Sequence, residues 1–359
     1  MSLSILLIYL LAIGGGFALS VFFVPLVIKF AYKFNVVDNP QTAERKIHTK
    51  LTPLMGGTAI FMAVWILVLV FNYFHLANFS KIPDSYLWGV FIGSALIIIG
   101  GFLDDKYNLK PWQQIIWPIA AAICVLVSGI RITYITNPIG DINSAIIFFT
   151  PIIGIIVSFF WLMGMMYTAK FLDGLDGLLS GISAIASLSI FFVSMRWDVA
   201  MSATGMWALI LFGALMGFLL FNWTPAKIFL GEGGSVFLGF MLGVLSIISG
   251  SKIITTLLVI GIPALDVLWV IIQRLAHKES PFSHADRKHL HYKLVDYGFS
   301  KRGAVIFLYL VSLVFALVAL VGDGGFSKLI GLVSLIVVMI ILLALIYFKT
   351  RKNTDSKSL

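Results

Sequence analysis

LWGVFIGSALIIIGGFLDDKYNL, residues 87–109, decides how the chain is read. Residues 87–103 carry no charged group, and the run then ends abruptly on Asp104, Asp105 and Lys106. A helix needs ~20 such residues to cross ~30 Å of hydrocarbon. A carboxylate at mid-bilayer costs about 2.5–3.5 kcal/mol, so adjacent aspartates mark either the end of a membrane helix or a polar site built there.

Working outward, the same kind of apolar run recurs along the 359 residues, of which 60% are hydrophobic and only 11% charged. Mean hydropathy is +1.03, which excludes a water-soluble domain of this size. Hydropathy windows predict spans at residues 5–28, 54–74, 87–103, 112–128, 146–166, 178–195, 204–221, 235–249, 253–272, 304–321 and 328–348. The first has no basic residue before it and no small-residue cleavage pattern after it, and is read as a retained helix. The expected fold is therefore an all-α polytopic membrane protein of about eleven transmembrane helices. It is read as one integral membrane catalytic domain, 1–359, with a basic tail at 349–359.

Connections between these spans fall into two alternating sets. One, comprising 29–53, 104–111, 169–177, 222–234, 273–303 and the tail, holds 20 of the 25 Lys and Arg; the other holds 5. The positive-inside rule makes the first set cytoplasmic, with the N-terminus outside and the C-terminus inside. The stretch GIRITYITNPIGD (129–141) alternates like a small external β-hairpin between helices four and five, turning at Asn137 and Pro138. GGGFALS (14–20) offers small residues for helix packing, within one chain or in a homodimer. The single cysteine, Cys124, permits no disulfide framework. No repeat or inverted duplication of the transporter kind is present.

Acidic residues divide 12 to 4 in favour of the cytoplasmic side, counting Asp266 with that side, and gather at span ends. Asp104 and Asp105 close the third span, Asp173 and Asp176 sit in FLDGLDG, Glu232 in FLGEGGS, and Asp266 lies inside the ninth span. Oxygen ligands without cysteine suit a hard cation such as Mg2+, with Mn2+ able to substitute, rather than zinc. The loop 39–57 adds Arg45, Lys46 and His48, and the loop SPFSHADRKHLHYKL adds Arg287, His289 and His291. His289 and His291 are two apart and can point one way from an extended backbone. GEGG (231–234) can present backbone N–H groups to an anion or let a neighbouring chain approach closely. Acids beside cations and backbone donors make a phosphoryl-transfer site, because a divalent ion neutralises diphosphate while positioned groups align attack.

Six segments in order, DNP…RKIH…PLMGG, GGFLDDKYNL, FLDGLDGLLSG, FNWTPAKIFLGEGGS, GIPALDVLWVIIQR and SPFSHADRKHLHYKL, resemble the polyprenyl-phosphate N-acetylhexosamine-1-phosphate transferases of the MraY, WecA and TagO type, glycosyltransferase family 4. The last segment is closer to the WecA and TagO branch. That resemblance implies transfer of a sugar 1-phosphate, GlcNAc-1-phosphate by branch, from a UDP-N-acetylhexosamine to undecaprenyl phosphate, with Mg2+, at the cytoplasmic face of a bacterial inner membrane. UMP leaves, and the lipid-linked sugar diphosphate starts a cell-envelope polysaccharide such as lipopolysaccharide or teichoic acid. Partners are then the two substrates and membrane lipids, with no nucleic acid.

By the same carry-over, Asp104, Asp105, Asp173, Asp176 and His289 are catalytic. Arg45, Lys46, His48, Lys170, Asn222, Phe229, Arg287 and His291 bind substrate, with Phe229 against uracil, and Glu232, Asp105 and Asp176 hold the metal. Attack is either direct or through an aspartyl intermediate. Four positions depart from the family pattern: Lys170 where Asn is usual, Glu232 for Asp, Tyr292 for His, and Gln113 or Gln114 where Lys often follows the aspartate pair. The alternatives are a MurNAc-pentapeptide phosphotransferase of peptidoglycan synthesis, an inactive lipid-sugar binding protein, and a transporter whose acids would be spread through the bilayer.

Overall fold

The computed structural model describes residues 3–39, 51–76, 82–136, 146–197, 202–250, 253–276, 289–321, 329–342 and 344. Helices α1 (Leu3–Lys33), α2 (Gly56–Tyr73), α3 (Asp84–Tyr107), α4 (Pro111–Gln114) and α5 (Ile116–Val127) form its first half. Then come α6 (Pro151–Leu172), α7 (Leu178–Trp197), α8 (Ala203–Asn222), α9 (Gly231–Ile248), α10 (Ile253–Ala276), α11 (Leu290–Tyr297) and α12 (Lys301–Val321). A last helix, α13 (Leu329–Leu342), follows. Among the described residues nine helices (α1, α2, α3, α6 to α10 and α12) are long and apolar enough to span a bilayer, while Pro111–Val127 and α13 are shorter. Each predicted span contains a helix among the described residues, and two of these helices fall short of a full crossing.

The fourth span is interrupted for a local reason. Pro118 has no N–H to give the carbonyl of Gln114, so α4 stops there, and regular bonding resumes with Ile119 N to Ile115 O at 3.2 Å. The predicted hairpin is built from a different second strand. β3 (Tyr134–Thr136) pairs antiparallel with β4 (Ile146–Phe148), Ile135 opposite Ile147, so β4 takes residues assigned by hydropathy to the fifth span. That helix starts later, with Thr150 Oγ1 accepting from Ile153 N at 3.5 Å and Pro151 at its first position. The turn at Asn137 and Pro138 lies outside the described residues. A second pair, β1 (Val37–Asp38) with β2 (Thr52–Pro53), leads into α2.

Packing follows the small residues. The 14–20 stretch seats α1 on α8: a Cβ at Gly16 would overlap the Ile210 carbonyl, and one at Gly213 the Ile13 carbonyl. In a bilayer, where apolar contact is no better than lipid, such close backbone approach is what holds helices together. The buried hub is α9, almost wholly covered by its neighbours. A Cβ at Gly57 would overlap Gly234, and one at Gly101 would overlap Gly233, so α2 and α3 both cross the start of α9 at backbone contact. The outer faces of α1 and α12 instead expose Leu6, Leu7, Leu10, Leu310, Leu313 and Leu317, the inverse of a water-facing surface. The glycine contacts bring the beginnings of α2 and α9 and the end of α3 to one end of the bundle.

Candidate active site

Four of the sequence-predicted acids are each fixed by hydrogen bonds from elsewhere in the chain. Asp104 Oδ1 accepts from Leu109 N at 2.8 Å and from Gln114 Nε2 at 3.0 Å. Asp105, the next residue on α3, reaches the first turn of α9, where Oδ1 accepts the Glu232 N–H at 3.1 Å. A helix start carries orphan N–H groups and partial positive charge, so the carboxylate both caps α9 and is held by it. Gly231 makes this possible: its φ is +76°, and a side chain there would run into Asp105 Oδ2. Asp176 Oδ2 accepts from Ala226 N at 3.0 Å. Glu232 is held by a side chain, Lys170, whose Nζ lies 2.5 Å from its Oε1.

Lys170 also donates to Gln114 Oε1 at 3.1 Å. A continuous chain thus runs Asp104, Gln114, Lys170, Glu232, and the Glu232 backbone returns to Asp105. Lys170 therefore links Gln114 to Glu232, and all three stand at positions where the resemblance leads one to expect other residues.

The end of α6 divides the site. Beyond Lys170, the Phe171 ring lies against His289, centroids 5.7 Å apart and 26° between planes. Asp173 ends the helix. Among the described residues no hydrogen bond fixes its carboxyl. Desolvation by the helix ends, and then the charges of Glu232 and Asp176, push that carboxyl up from the usual range, although Asp173 is exposed on one face and solvent screening opposes the rise.

His289 sits on the extended residue that caps α11, and His291 in that helix's first turn, so the two rings stand parallel (2° between planes) and 5.8 Å apart. The loop expected to carry both histidines becomes helix at Leu290, so only His289 keeps an extended backbone. Asp266, from within α10, sets both helix and ring: Oδ2 lies 2.9 Å from His289 Nδ1, and Oδ1 accepts from Leu290 N at 2.9 Å. Buried His291 directs Nε2 at Gly174, where no Cβ could fit, and that atom has no hydrogen-bond partner among the described residues. Burial, and secondarily the His289 ring, pushes His291 down to about 3, so it is neutral near pH 7.

Two predicted binding residues are committed to the fold. Buried Asn222 accepts from Gly177 N (3.1 Å) and Ser180 Oγ (2.8 Å) and donates to Ile228 O (2.9 Å), tying the ends of α7 and α8 to the 223–230 loop. Half-buried Phe229 is fixed through its backbone, its N–H donating to Pro53 O and its carbonyl accepting from Gly56 N, both at 2.9 Å. Tyr292 packs on His291 at 4.2 Å between centroids. Arg45, Lys46, His48 and Arg287 lie outside the described residues. Sequence reasoning missed Gln114 and Asp266 as site residues. Asp266 carried a visible signal, a carboxylate inside an apolar span, whereas Gln114 carried none beyond its place after the aspartate pair.

Among the described residues no three acids, imidazoles or thiols stand close enough to form a metal cage. Mg2+ does not need one, since it is commonly held by one or two carboxylates with substrate phosphate and water completing its shell. Adjoining Asp105 and Glu232 fit that pattern, while Asp176 Oδ2 accepts from Ala226 N.

The chemistry available here, fixed carboxylates beside a lysine and paired imidazoles at one end of a membrane bundle, is that of phosphoryl transfer. Residues 87–250 match the model of glycosyl transferase family 4. The chain is 30% identical over 303 residues to the decaprenyl-phosphate N-acetylglucosaminephosphotransferase of Mycolicibacterium smegmatis, covering 78% of this chain and 73% of that protein. It is 29% identical over 303 residues to the probable undecaprenyl-phosphate N-acetylglucosaminyl 1-phosphate transferase of Bacillus subtilis, covering 83% and 80%. Against the undecaprenyl-phosphate alpha-N-acetylglucosaminyl 1-phosphate transferase of Escherichia coli K12 the figures are 27% over 304 residues, covering 82% and 77%. The chain therefore belongs to glycosyl transferase family 4, the polyprenyl-phosphate N-acetylhexosamine-1-phosphate transferases, and is a polytopic membrane phosphotransferase.

Proposed function

We propose that the protein transfers GlcNAc 1-phosphate from UDP-GlcNAc to undecaprenyl phosphate and releases UMP. The observation that carries this reading is a cleft between α3, α5 and α9. Asp104, Gln114 and Glu232 stand among its lining with Ile97, Trp117, Pro118 and Val236. The cleft is small, but it brings carboxylates and an amide together with apolar side chains at one end of the bundle, the pairing of groups that a phosphate carried on a hydrocarbon chain requires, and Lys170 contacts two of its lining residues, Gln114 and Glu232. The substrates named for the three relatives agree with this choice over MurNAc-pentapeptide.

In the reaction, an oxygen of the acceptor phosphate attacks the sugar-bearing phosphorus of the UDP-sugar. The new P–O bond forms as the bond to UMP breaks, giving a lipid-linked sugar diphosphate. Asp105, fixed by α9 and with Oδ2 directed at Gly231, takes any proton on the incoming phosphate. Asp104 holds the head of the cleft through Gln114, and among the described residues Lys170 supplies a positive charge in contact with Gln114 and Glu232. His289, set by Asp266, orients diphosphate oxygens, and neutral His291 offers a hydrogen bond rather than a charge. Asp105 and Glu232 would hold Mg2+, or Mn2+ in its place, which when bound neutralises diphosphate charge.

The charge asymmetry of the connections supports eleven spans, an external N-terminus and hairpin, and a site facing the cytoplasm of the bacterial inner membrane. On that reading residues 1–359 are one catalytic domain whose product initiates a cell-envelope polysaccharide. Donor choice is tested with purified protein, undecaprenyl phosphate and Mg2+, supplied separately with UDP-GlcNAc, UDP-GalNAc or UDP-MurNAc-pentapeptide. UMP release is expected with UDP-GlcNAc above the others. Turnover with UDP-MurNAc-pentapeptide alone would move the protein to the peptidoglycan branch.

A further inference from the structure

Glu232 is the acid best placed to receive a divalent ion, yet its Oε1 is already taken by the ammonium of Lys170 at 2.5 Å. The second contact of that ammonium, Gln114 Oε1 at 3.1 Å, does not depend on Glu232. Side-chain exposures of 23% for Lys170 and 22% for Glu232 leave the pair open to solvent, so exchange of one cation for another at Glu232 needs no unfolding. A lysine is suited to such exchange, because its ammonium is a compact point charge on a flexible stem. A divalent ion on Glu232 and an ammonium at contact distance from the same carboxylate repel one another, so binding of either weakens the other.

We propose that Lys170 is a resident counter-cation of the metal site: in the metal-free protein it occupies Glu232, and when a divalent ion takes Glu232 it swings away, still tethered to Gln114, to face substrate phosphate. The inference rests on Glu232 being a metal ligand, and goes beyond that reading by making metal affinity and the availability of Lys170 two faces of one equilibrium. Lys170 then weakens metal binding in the empty enzyme, and metal in turn frees Lys170 by the same factor. The acid cluster stays charge-compensated between turnovers.

The test is Mn2+ binding to detergent-purified, substrate-free protein, followed by electron paramagnetic resonance. Lys170→Met, which removes the charge and keeps the stem, is expected to bind Mn2+ about tenfold or more tightly than the unaltered protein. Lys170→Arg is expected to stay within about threefold of it. Unchanged or weaker binding in Lys170→Met overturns the proposal. Glu232→Gln separates the two levels: if it leaves Mn2+ affinity unchanged, Glu232 is not a ligand and the underlying reading fails with the inference. If Glu232→Gln weakens binding while Lys170→Met does not strengthen it, only the displacement is wrong. A second measurement needs no variant. Acylation of Lys170 by an amine-reactive reagent, read by peptide mass spectrometry, is expected to speed up several-fold on adding Mn2+. An unchanged or slower rate contradicts the exchange.

Discussion

The two halves of the site hold charge in opposite ways. Around α3, α4 and α9, Asp104, Gln114, Lys170 and Glu232 form an open, partly exposed chain in which a carboxylate is met by a solvent-accessible ammonium. Around α10 and α11, Asp266, His289 and His291 form a closed arrangement, nearly buried, in which the carboxylate is matched to one ring nitrogen and one backbone N–H. The open half is built to exchange partners and suits binding and chemistry; the closed half is built to keep one geometry and suits orientation. Burial makes the difference, since a pair removed from water loses the alternative of hydration and keeps the partner it folded with.

That contrast predicts a ranked set of effects. The largest belongs to Asp105, which serves both the chemistry and the start of α9. Asp105→Asn keeps an oxygen to accept the Glu232 N–H, so the melting temperature should move by only a few degrees while UMP release falls by about a thousandfold or more. Near-normal turnover in that variant would remove Asp105 from the reaction.

Next comes the closed half. Asp266→Asn can still accept from Leu290 N, but it presents an amide to His289 Nδ1 in place of an acceptor and disturbs the ring's protonation and aim. We expect kcat/KM to fall about ten- to a hundredfold. Because Asp266 acts through His289, adding His289→Ala should cost little beyond His289→Ala alone. Fully additive losses would show two independent roles.

The open half gives a smaller effect and a sharper one. Glu232→Asp shortens the acid by one methylene and draws it away from Lys170, which should cost about tenfold in turnover. If Gln114, Lys170 and Glu232 act as one linked set, joining Glu232→Asp to Lys170→Asn and Gln114→Lys should recover most of that loss, and the failure of additivity measures the coupling. A triple variant worse than the product of its single changes would break the comparison.

The smallest effect is on stability. Burial holds His291 neutral down to about pH 3, whereas in the unfolded chain its imidazole takes up a proton near the ordinary value of 6.5. Its folded-state value is depressed, so below pH 6.5 the unfolded chain binds the extra proton. The contribution is fully present above pH 6.5 and is lost as pH falls towards 3. At pH 5 the loss is about 2 kcal/mol. Thermal melting at pH 7.5 and pH 5 should show it, and His291→Asn should flatten the difference.

Legibility in the sequence followed the range of the forces involved. The nine long apolar helices among the described residues all fall on predicted runs, because crossing hydrocarbon needs a long apolar stretch. Short elements were not visible in this way. Pro118 broke the fourth span through a single missing N–H, and α11 was hidden because its eight residues carry only half a helical pattern behind two histidines. The acids were conspicuous as charges out of place, but their partners were not: Lys170 and Glu232 are 62 positions apart, and Asp266 and His289 are 23 apart. The first pairing needs α6 against α9, which meet at backbone contact where Gly239 faces Met165 and Met166, a contact no local pattern announces. Gln114 was singled out only as a departure from a pattern; its bridging role exists once α4 turns back towards Asp104.

The most direct test of the account uses the unaltered protein and Asp105→Asn side by side in detergent, with radiolabelled UDP-GlcNAc, undecaprenyl phosphate and Mg2+, and no membrane gradient. The account predicts that the unaltered protein releases UMP and converts the label to a lipid-extractable product in equal amounts, and that folded Asp105→Asn yields neither. No product from folded, unaltered protein with this donor and acceptor, or equal product from the two proteins, would contradict it.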